Sequence, residues 1–140
     1  MPDTNGKPFM LEGLTVLDFT QYVAGSGVTR MLAELGAEII KVELPGIGDP
    51  ARLLPVQSPK GRGGLFTQHN RGKQSVCIDW NTPRGMELLL ELATTVDIVA
   101  ENFASGSVMG KRHLSYEDIK AVNPSVIYLS VSCFGRTSAW

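Results

Sequence analysis

The chain has 140 residues, with 13 Lys and Arg against 14 Asp and Glu, and 43% of its residues are hydrophobic. This length suits one domain, and the composition excludes intrinsically disordered and fibrous proteins. The net charge of -1 argues against nonspecific binding to nucleic acid. The sequence contains neither an apolar run of about 18 residues nor a secretory signal, so we expect no membrane span and a cytoplasmic protein.

The cysteines and histidines predict neither a redox pair nor a metal site. Cys77 and Cys133 lie in apolar runs and form no CxxC motif, so we expect buried, reduced thiols. His69 and His113 lie in different segments, without the Cys/His cluster that a zinc site requires. We therefore expect no metal cofactor.

The first elements predict a parallel crossover unit. The apolar run at residues 15–19 predicts a buried strand, and the helical spacing of apolar residues from 28 to 35 predicts a helix that Gly36 ends. Residues 38–43 then predict a second strand. A strand, a helix and a strand in this order are typical of a right-handed, parallel unit.

The middle of the chain predicts a long loop followed by two more strands. Residues 44–66 are rich in Pro and Gly, and loops of this length are usually functional or disordered. Strands are predicted at residues 75–79 and 97–101. The helix between them begins with Thr82 as its N-cap and Pro83 at its first position.

The last elements complete an alternating order. Residues 105–114 predict a short helix or turn, and Ser115 with Asp118 forms a capping-box pattern. The helix that follows ends before Asn123, because a proline comes next. A fifth strand is predicted at residues 126–132. This order predicts an α/β fold with a mostly parallel sheet of about five strands and helices on both faces.

Ligands of such sheets bind beyond the carboxyl ends of the strands. Gly25 and Gly27 match part of a dinucleotide fingerprint, in which Arg30 replaces the third small residue and Glu43 takes the place of a ribose-binding acid. The alternative interpretation is that the two glycines only allow the helix to pack closely on its sheet. We interpret Asp18 as a buried carboxylate that hydrogen-bonds to a neighbouring loop.

Basic residues gather without acids between Pro50 and Ile78. They are Arg52, Lys60, Arg62, Arg71 and Lys73. Such a stretch is either a solvated loop or a surface that meets an anion such as a phosphorylated cofactor. Trp80 and Phe103 stand at predicted strand ends, where single aromatic residues cover the core more often than they stack on an adenine.

Several strings in the right order resemble the family III CoA-transferases, which include formyl-CoA and carnitine CoA-transferases and the α-methylacyl-CoA racemases. The strings lie at residues 11–20, 24–25, 32–43, 48–52, 70–75, 97–103 and 123–128. The resemblance implies a Rossmann-like domain at residues 11–140 that binds CoA or acyl-CoA, preceded by an N-terminal extension at residues 1–10. It also gives the acid-free basic stretch a purpose, because CoA is polyanionic.

The resemblance assigns cofactor contacts to residues that match the family's motifs. They are Val23, Ala24 and Gly25 in the loop beside CoA, Asn70, Arg71 and Lys73 near its nucleotide end, the Asn102–Phe103 pair, Lys111 or Arg112 near a phosphate-holding arginine, and Gly135 in a Gly-Phe-Gly turn. The chain departs from the family at Ser26, which replaces a proline, and at Leu44, which replaces an arginine of some members.

The family's catalytic aspartate, which carries acyl and CoA groups as anhydride and thioester intermediates, lies downstream of that Gly-Phe-Gly turn. No residue of this chain matches it, and the family's second domain is also absent, so the chain is expected to be a truncated member. The first hypothesis is therefore a CoA-binding module that is inactive alone. The second is a part of an active CoA-transferase, completed by another chain or by a missing segment. The partner is either a second copy in a homodimer or a chain that supplies the missing catalytic half. A degenerate fragment and a nicotinamide-binding domain remain as alternatives.

Overall fold

Five parallel strands form one sheet. The structure, a computed structural model, describes residues 9–54, 63–104 and 108–135. The strands are β1 (Thr15–Asp18), β2 (Glu38–Glu43), β3 (Lys73–Cys77), β4 (Ile98–Glu101) and β5 (Ile127–Ser130). Their order in the sheet is β3-β2-β1-β4-β5, and every neighbouring pair is parallel. The predicted α/β fold is confirmed.

Helices connect the strands, and two of the four α-helices in the described residues have a side-chain cap at their N-terminus. The α-helices are α1 (Ala24–Glu34), α2 (Gly64–His69), α3 (Pro83–Ala93) and α4 (Tyr116–Val122), with 3-10 helices at Pro50–Leu53 and Gly110–Arg112. Thr82 Oγ1 accepts a hydrogen bond from the Gly85 N–H at 3.1 Å, and Ser115 forms the predicted capping box with Asp118. No helix in the described part of the chain is long and apolar enough to cross a membrane.

One face of the sheet, here called the α3 face, is covered by α3 and α4 and is mainly apolar. Alternate strand residues such as Leu17 and Val99 point to this face and are fully buried. They pack with Leu89 and Ala93 of α3 and with Ile119 of α4 in the larger hydrophobic cluster. This face therefore holds most of the core.

The opposite face, here called the α1 face, changes character along the strands. Near the amino ends, Val16 and Ile39 pack with Leu32 of α1 in a smaller hydrophobic cluster. Further along the same strands, Asp18 and Lys41 are also buried although both side chains are charged. The α1 face is therefore apolar at one end of the sheet and polar at the other.

Several element boundaries differ from the predictions, among them those of β5, which spans Ile127–Ser130 rather than residues 126–132. Helix α1 begins at Ala24 rather than at residue 28, because the small residues in its first turn let the backbone pack closely. The predicted loop at residues 44–66 contains the first 3-10 helix and the start of α2. Strand β3 begins at Lys73, which pairs with Ile39 of β2. The changes at α1 and at residues 44–66 add regular structure to what the local sequence predicts, whereas β3 keeps five residues and is shifted towards the N-terminus.

The prediction that both cysteines are buried is wrong. Cys77 is the last residue of β3, and Cys133 follows β5; both thiols are free and exposed. The two strands are the edges of the sheet. An edge strand has a neighbour on one side only, so an apolar run there does not ensure burial.

Candidate functional site

The carboxyl ends of the strands form the edge at which ligands bind in parallel α/β sheets, here called the carboxyl edge. From β1 the chain passes to β2 on one side of the sheet, and it later returns to β4 on the other side of β1. Connections that diverge in this way leave a crevice between them. The turn between β1 and α1 (residues 20–23, the β1–α1 turn) and the segment after β4 (residues 102–104) stand at this point.

Side chains from distant parts of the chain hold the backbone of the β1–α1 turn. Asn102 accepts a hydrogen bond from the Gln21 N–H at 2.7 Å and donates one to the Gln21 carbonyl at 2.8 Å. Tyr22 has a left-handed backbone with a φ of 61° and donates its N–H to Asp49 at 3.1 Å. Because a tyrosine adopts this conformation only rarely, the surrounding contacts must stabilise it.

Gly25 lets α1 approach the β1–α1 turn and the end of β4. A Cβ atom at this position would lie 2.6 Å from Thr20 Cγ2 and 3.1 Å from Asn102 Cβ. A Cβ at Gly27 would meet only the His69 ring, at 3.9 Å. The interpretation of a glycine needed for close packing therefore fits Gly25 and not Gly27.

A second group of predicted residues surrounds Trp80. Trp80 is 3% exposed and contacts the Phe103 ring edge-on, with 6.2 Å between ring centroids. The Phe103 N–H donates to Glu101 at 2.7 Å, which fixes the segment after β4. Arg112 Nη2 donates to Asn81 Oδ1 at 2.8 Å. Trp80 thus covers the core, as interpreted from the sequence. Asn81, which contacts the predicted site residue Arg112, was not predicted.

Cofactor contacts were also predicted for four exposed residues, Val23, Ala24, Lys111 and Gly135. Val23 is the N-cap residue and Ala24 the first residue of α1, whose N-terminus has no side-chain cap and no acidic residue in its first turn. Lys111 is exposed on the second 3-10 helix, and Gly135 is exposed beyond β5 with a φ of 79°. The structure thus brings Gly25 close to Asn102, while Lys111 and Gly135 stand on other loops.

Lys73 is buried on the α1 face in an ion pair. Its Nζ lies 2.9 Å from Asp18 Oδ2, and the two side chains are 1% and 0% exposed. The same ammonium donates to Thr29 Oγ1 at 2.7 Å and to Asn70 Oδ1 at 2.8 Å. Burial lowers the pKa of Lys73, while the carboxylate of Asp18 opposes this shift. The interpretation of Asp18 as a buried carboxylate bonded to a loop agrees with its hydrogen bond from the Thr20 N–H.

Glu43 is the centre of a second buried cluster. Arg52 donates to both of its oxygens, at 2.8 and 2.7 Å, and Ser75 donates at 2.7 Å. Burial alone would raise the pKa of Glu43, but the hydrogen bonds from Arg52, Ser75 and the Asp49 N–H lower it to about 2. Arg52 also lies over the Phe66 ring, 3.6 Å from its centroid. In a nicotinamide protein, an acid at this position would bind the ribose. Here the Glu43 carboxylate already accepts hydrogen bonds from Arg52 and Ser75.

The basic stretch obtains its counter-charges from other segments of the chain. Arg52 pairs with Glu43 of β2, Lys73 with Asp18 of β1, and Arg71 with Glu34 of α1 at 3.3 Å. Lys60 and Arg62 lie outside the described residues. The three described cations of this stretch thus each have a carboxylate partner, and Arg71 stays exposed in its pair. The assignment of Asn70, Arg71 and Lys73 to the nucleotide end of CoA stays a prediction.

Metal binding finds no support in the described ranges, where no group of three or more His, Cys, Asp and Glu side chains is placed to hold an ion. The ion pair between Lys41 and Asp49, whose buried charges lie 3.0 Å apart beside the β1–α1 turn, was not predicted. A lysine inside a predicted buried strand was the one available signal, since such a charge requires a partner.

Comparison with known proteins places the chain in a family. The sequence profile of CoA-transferase family III matches residues 11–140. A probable fatty acyl-CoA transferase of Mycobacterium tuberculosis is 44% identical over 139 residues, which cover 96% of this chain and 34% of that protein. The human succinyl-CoA:glutarate CoA-transferase is 39% identical over 135 residues, which cover 95% of this chain and 30% of that protein.

Solved structures of similar proteins have the same fold. A crystal structure of the Mycobacterium tuberculosis protein superposes with a TM-score of 0.83 and 41% identity, over 94% of this chain and 37% of that one. A CAIB/BAIF family protein from Brucella suis gives a TM-score of 0.85 and 39% identity, over 94% of this chain and 35% of that one. The chain spans about a third of the length of the relatives it matches. The chain therefore belongs to CoA-transferase family III.

Proposed function

We propose that the chain binds CoA or an acyl-CoA at the carboxyl edge, through the β1–α1 turn, the start of α1 and the segment after β4. The family match over residues 11–140 carries this proposal. Two contacts support it: Asn102 is hydrogen-bonded to Gln21, and the backbone of Gly25 lies against Asn102. Both contacts join segments to which the family resemblance assigns cofactor contacts.

The phosphates of CoA require cationic or N–H donors. Arg71 and Lys73 already have carboxylate partners, so we propose Lys111 and Arg112 as the cations that hold the phosphates. Arg112 is partly exposed beside Asn81, which orients its guanidinium. The uncapped N-terminus of α1 offers backbone N–H groups to a further anionic group of the ligand.

Binding of a nicotinamide dinucleotide is the competing function, and Glu43 argues against it. Both oxygens of Glu43 accept hydrogen bonds from Arg52, and one also accepts from Ser75. A ribose hydroxyl would have to displace these charge-assisted bonds. We therefore expect CoA, and not NAD, to raise the melting temperature of the chain.

Calorimetric titration of the full chain with CoA and acetyl-CoA tests the proposal. We expect saturable heat with CoA, and an affinity about tenfold weaker in Arg112→Gln, because a charge-assisted hydrogen bond to phosphate is lost. Arg84→Gln is the matched control, since Arg84 is an exposed arginine that pairs with Glu87 on α3. The proposal fails if the wild-type chain gives no heat with CoA at millimolar concentration.

A second candidate function is transfer of CoA between carboxylic acids, as the names of the relatives describe for those proteins. The chain spans about a third of their length, so we propose this activity only for a complex in which another chain or a further segment supplies the catalytic aspartate. We propose a homodimer only as an assembly of the binding module, because a second copy of the chain carries no residue that matches that aspartate. Mixing the chain with candidate partners and following acyl transfer from succinyl-CoA or formyl-CoA tests it. Absence of transfer with every partner counts against it.

We also propose the cytosol as the compartment of the chain. Cys77 and Cys133 are both free and exposed, and such thiols persist in reducing compartments. Fractionation of cells that express the tagged chain tests this proposal. Recovery of the chain outside the cytosolic fraction would contradict it.

A further inference from the structure

One buried ion pair holds both ends of the β1–α1 turn. Lys41 Nζ donates to the Thr20 carbonyl at 2.6 Å, and Asp49 Oδ1 accepts from the Tyr22 N–H at 3.1 Å. The two charged groups meet between these contacts, with 3.0 Å from Lys41 Nζ to Asp49 Oδ2, and their side chains are 2% and 0% exposed. Because a buried charge that leaves its partner is strongly unfavourable, this ion pair restricts the positions that the β1–α1 turn can adopt.

Asp49 is itself fixed by groups that do not belong to the turn. Its N–H donates to Glu43 at 2.8 Å, and its Oδ1 also accepts from the Ala51 N–H at 2.9 Å, which caps the first 3-10 helix. Arg52 of that helix binds Glu43 and lies over the ring of Phe66 in α2. Asp49 therefore connects the β1–α1 turn to β2 and α2.

We propose that Asp49 is a positioning residue for the ligand at the carboxyl edge. By accepting the Tyr22 N–H, it stabilises a left-handed conformation that a tyrosine otherwise avoids. That conformation sets where Gln21 meets Asn102. It also sets the direction in which the chain enters α1 at its N-cap residue, Val23. The effect on ligand affinity rests on the proposed binding of CoA, whereas the effect on the turn rests on geometry alone.

The test combines amide hydrogen exchange of the full chain by NMR with calorimetric titration by CoA. In Asp49→Ala we expect the Tyr22 amide to exchange about tenfold faster and the dissociation constant for CoA to rise about tenfold, because one charged acceptor is lost. Asp49→Asn retains an oxygen for the Tyr22 N–H but lacks the charge that faces Lys41. We expect it to restore most of the protection and to weaken CoA binding by about threefold.

Asp97→Ala is the matched control. Asp97 Oδ2 accepts a backbone hydrogen bond from the Thr15 N–H at 2.8 Å, at the opposite end of the sheet. Its loss removes a similar bond from the fold, and we expect no change in the Tyr22 amide or in CoA affinity. Because Asp49 accepts the Tyr22 N–H directly, CoA affinity is the measurement that separates the two roles: a merely structural Asp49 would leave the affinity of folded Asp49→Ala equal to that of Asp97→Ala.

Separate results decide the two proposals. Normal CoA affinity in both Asp49 variants, with CoA bound by the wild-type chain, overturns the positioning role. If the wild-type chain does not bind CoA, the proposed function fails. Hydrogen exchange then decides the positioning role, and an unchanged Tyr22 amide in Asp49→Ala overturns it. If Asp49→Ala does not fold, Asp49→Asn decides in the same way, because a wild-type value in both measurements contradicts a role for the ion pair.

Discussion

The two faces of the sheet are built from alternate residues of the same strands, yet different forces hold them. On the α3 face, Leu17 and Val99 pack with Leu89 in an apolar cluster. On the α1 face, beside the carboxyl edge, the buried groups are charged and include the pairs Asp18–Lys73 and Lys41–Asp49. The period of two in a strand therefore separates an apolar core from a polar layer within one sheet.

Because of this difference, the two faces contribute unequally to the stability of the fold and to the position of the β1–α1 turn. Apolar packing is nondirectional and contributes free energy in proportion to the area that is removed from water. Ion pairs and hydrogen bonds fix distances and directions but contribute little net free energy, since their desolvation opposes the attraction. The α3 face thus stabilises the fold, and the α1 face determines where the β1–α1 turn lies.

The largest expected effect comes from leaving a charge alone on the α1 face. Asp18→Ala removes the counter-charge of the Lys73 ammonium, which is buried with its partner. We expect the free energy of unfolding to fall by about 4 kcal/mol, because a buried charge without a partner is not compensated. Urea unfolding followed by circular dichroism measures this change.

Two variants separate the causes of that loss. Glu87→Gln breaks the exposed Arg84–Glu87 pair and should change the free energy of unfolding by no more than about 0.5 kcal/mol. Asp18→Asn keeps an oxygen for the Thr20 N–H. Its loss of unfolding free energy should therefore lie between those of Asp18→Ala and Glu87→Gln. If Asp18→Ala costs no more than Glu87→Gln, the α1 face does not depend on buried charge pairs.

An apolar truncation on the α3 face should lower stability without affecting the ligand. Leu89 is fully buried in the α3-face cluster, and we expect Leu89→Ala to cost about 3 kcal/mol, from lost burial and the remaining cavity. The dissociation constant for CoA should stay at its wild-type value in the folded protein. Calorimetry below the unfolding transition checks this expectation. A weaker affinity in Leu89→Ala would show that the two faces do not have separate roles.

The smallest of the three effects depends on pH. The pKa of Glu43 is about 2, below its ordinary value of 4.5, so the folded protein stabilises the carboxylate form. The stability that Glu43 contributes is therefore present above pH 4.5 and is lost as the pH falls from 4.5 towards 2. Glu43→Gln should cost about 2 kcal/mol at neutral pH, because hydrogen bonds to a charged group are weakened.

The acid limb of the stability curve distinguishes this cause from others. Compared with the wild-type chain, Glu43→Gln should flatten the dependence of unfolding free energy on pH below 4.5. Urea unfolding at a series of pH values measures both curves. An equally steep acid limb in Glu43→Gln would assign acid unfolding to other carboxylates.

Local signals account for the part of the fold that the sequence predicts correctly. The N-caps Thr82 and Ser115 and the stop before Asn123 depend on neighbouring residues, and all three agree with the structure. The start of α1 does not, because Gly25 is required by close contacts with Thr20 and with Asn102, and Asn102 is far away in the sequence. Edge strands such as β3 likewise cannot be recognised from the apolar run that contains Cys77.

The candidate site was less accessible to sequence reasoning than the fold. The sequence of the basic stretch does not show which acidic residues pair with it, and these residues come from β1, β2 and α1. Lys41 and Asp49 meet only after β2 and the first 3-10 helix are in place. The family resemblance named Asn102 and Gly25, while their mutual contact appears only in three dimensions.

The position of Trp80 gives the chain an optical property. Its ring lies between Phe19, at 5.7 Å, and Phe103, at 6.2 Å, and its Nε1 is buried without a hydrogen-bond partner in the part of the chain that the structure describes. An indole in such an apolar setting emits at short wavelength. The chain has two tryptophans, so Trp140→Phe would leave Trp80 as the sole emitter. Its emission would then report the burial of this ring and its exposure on unfolding, without any attached dye.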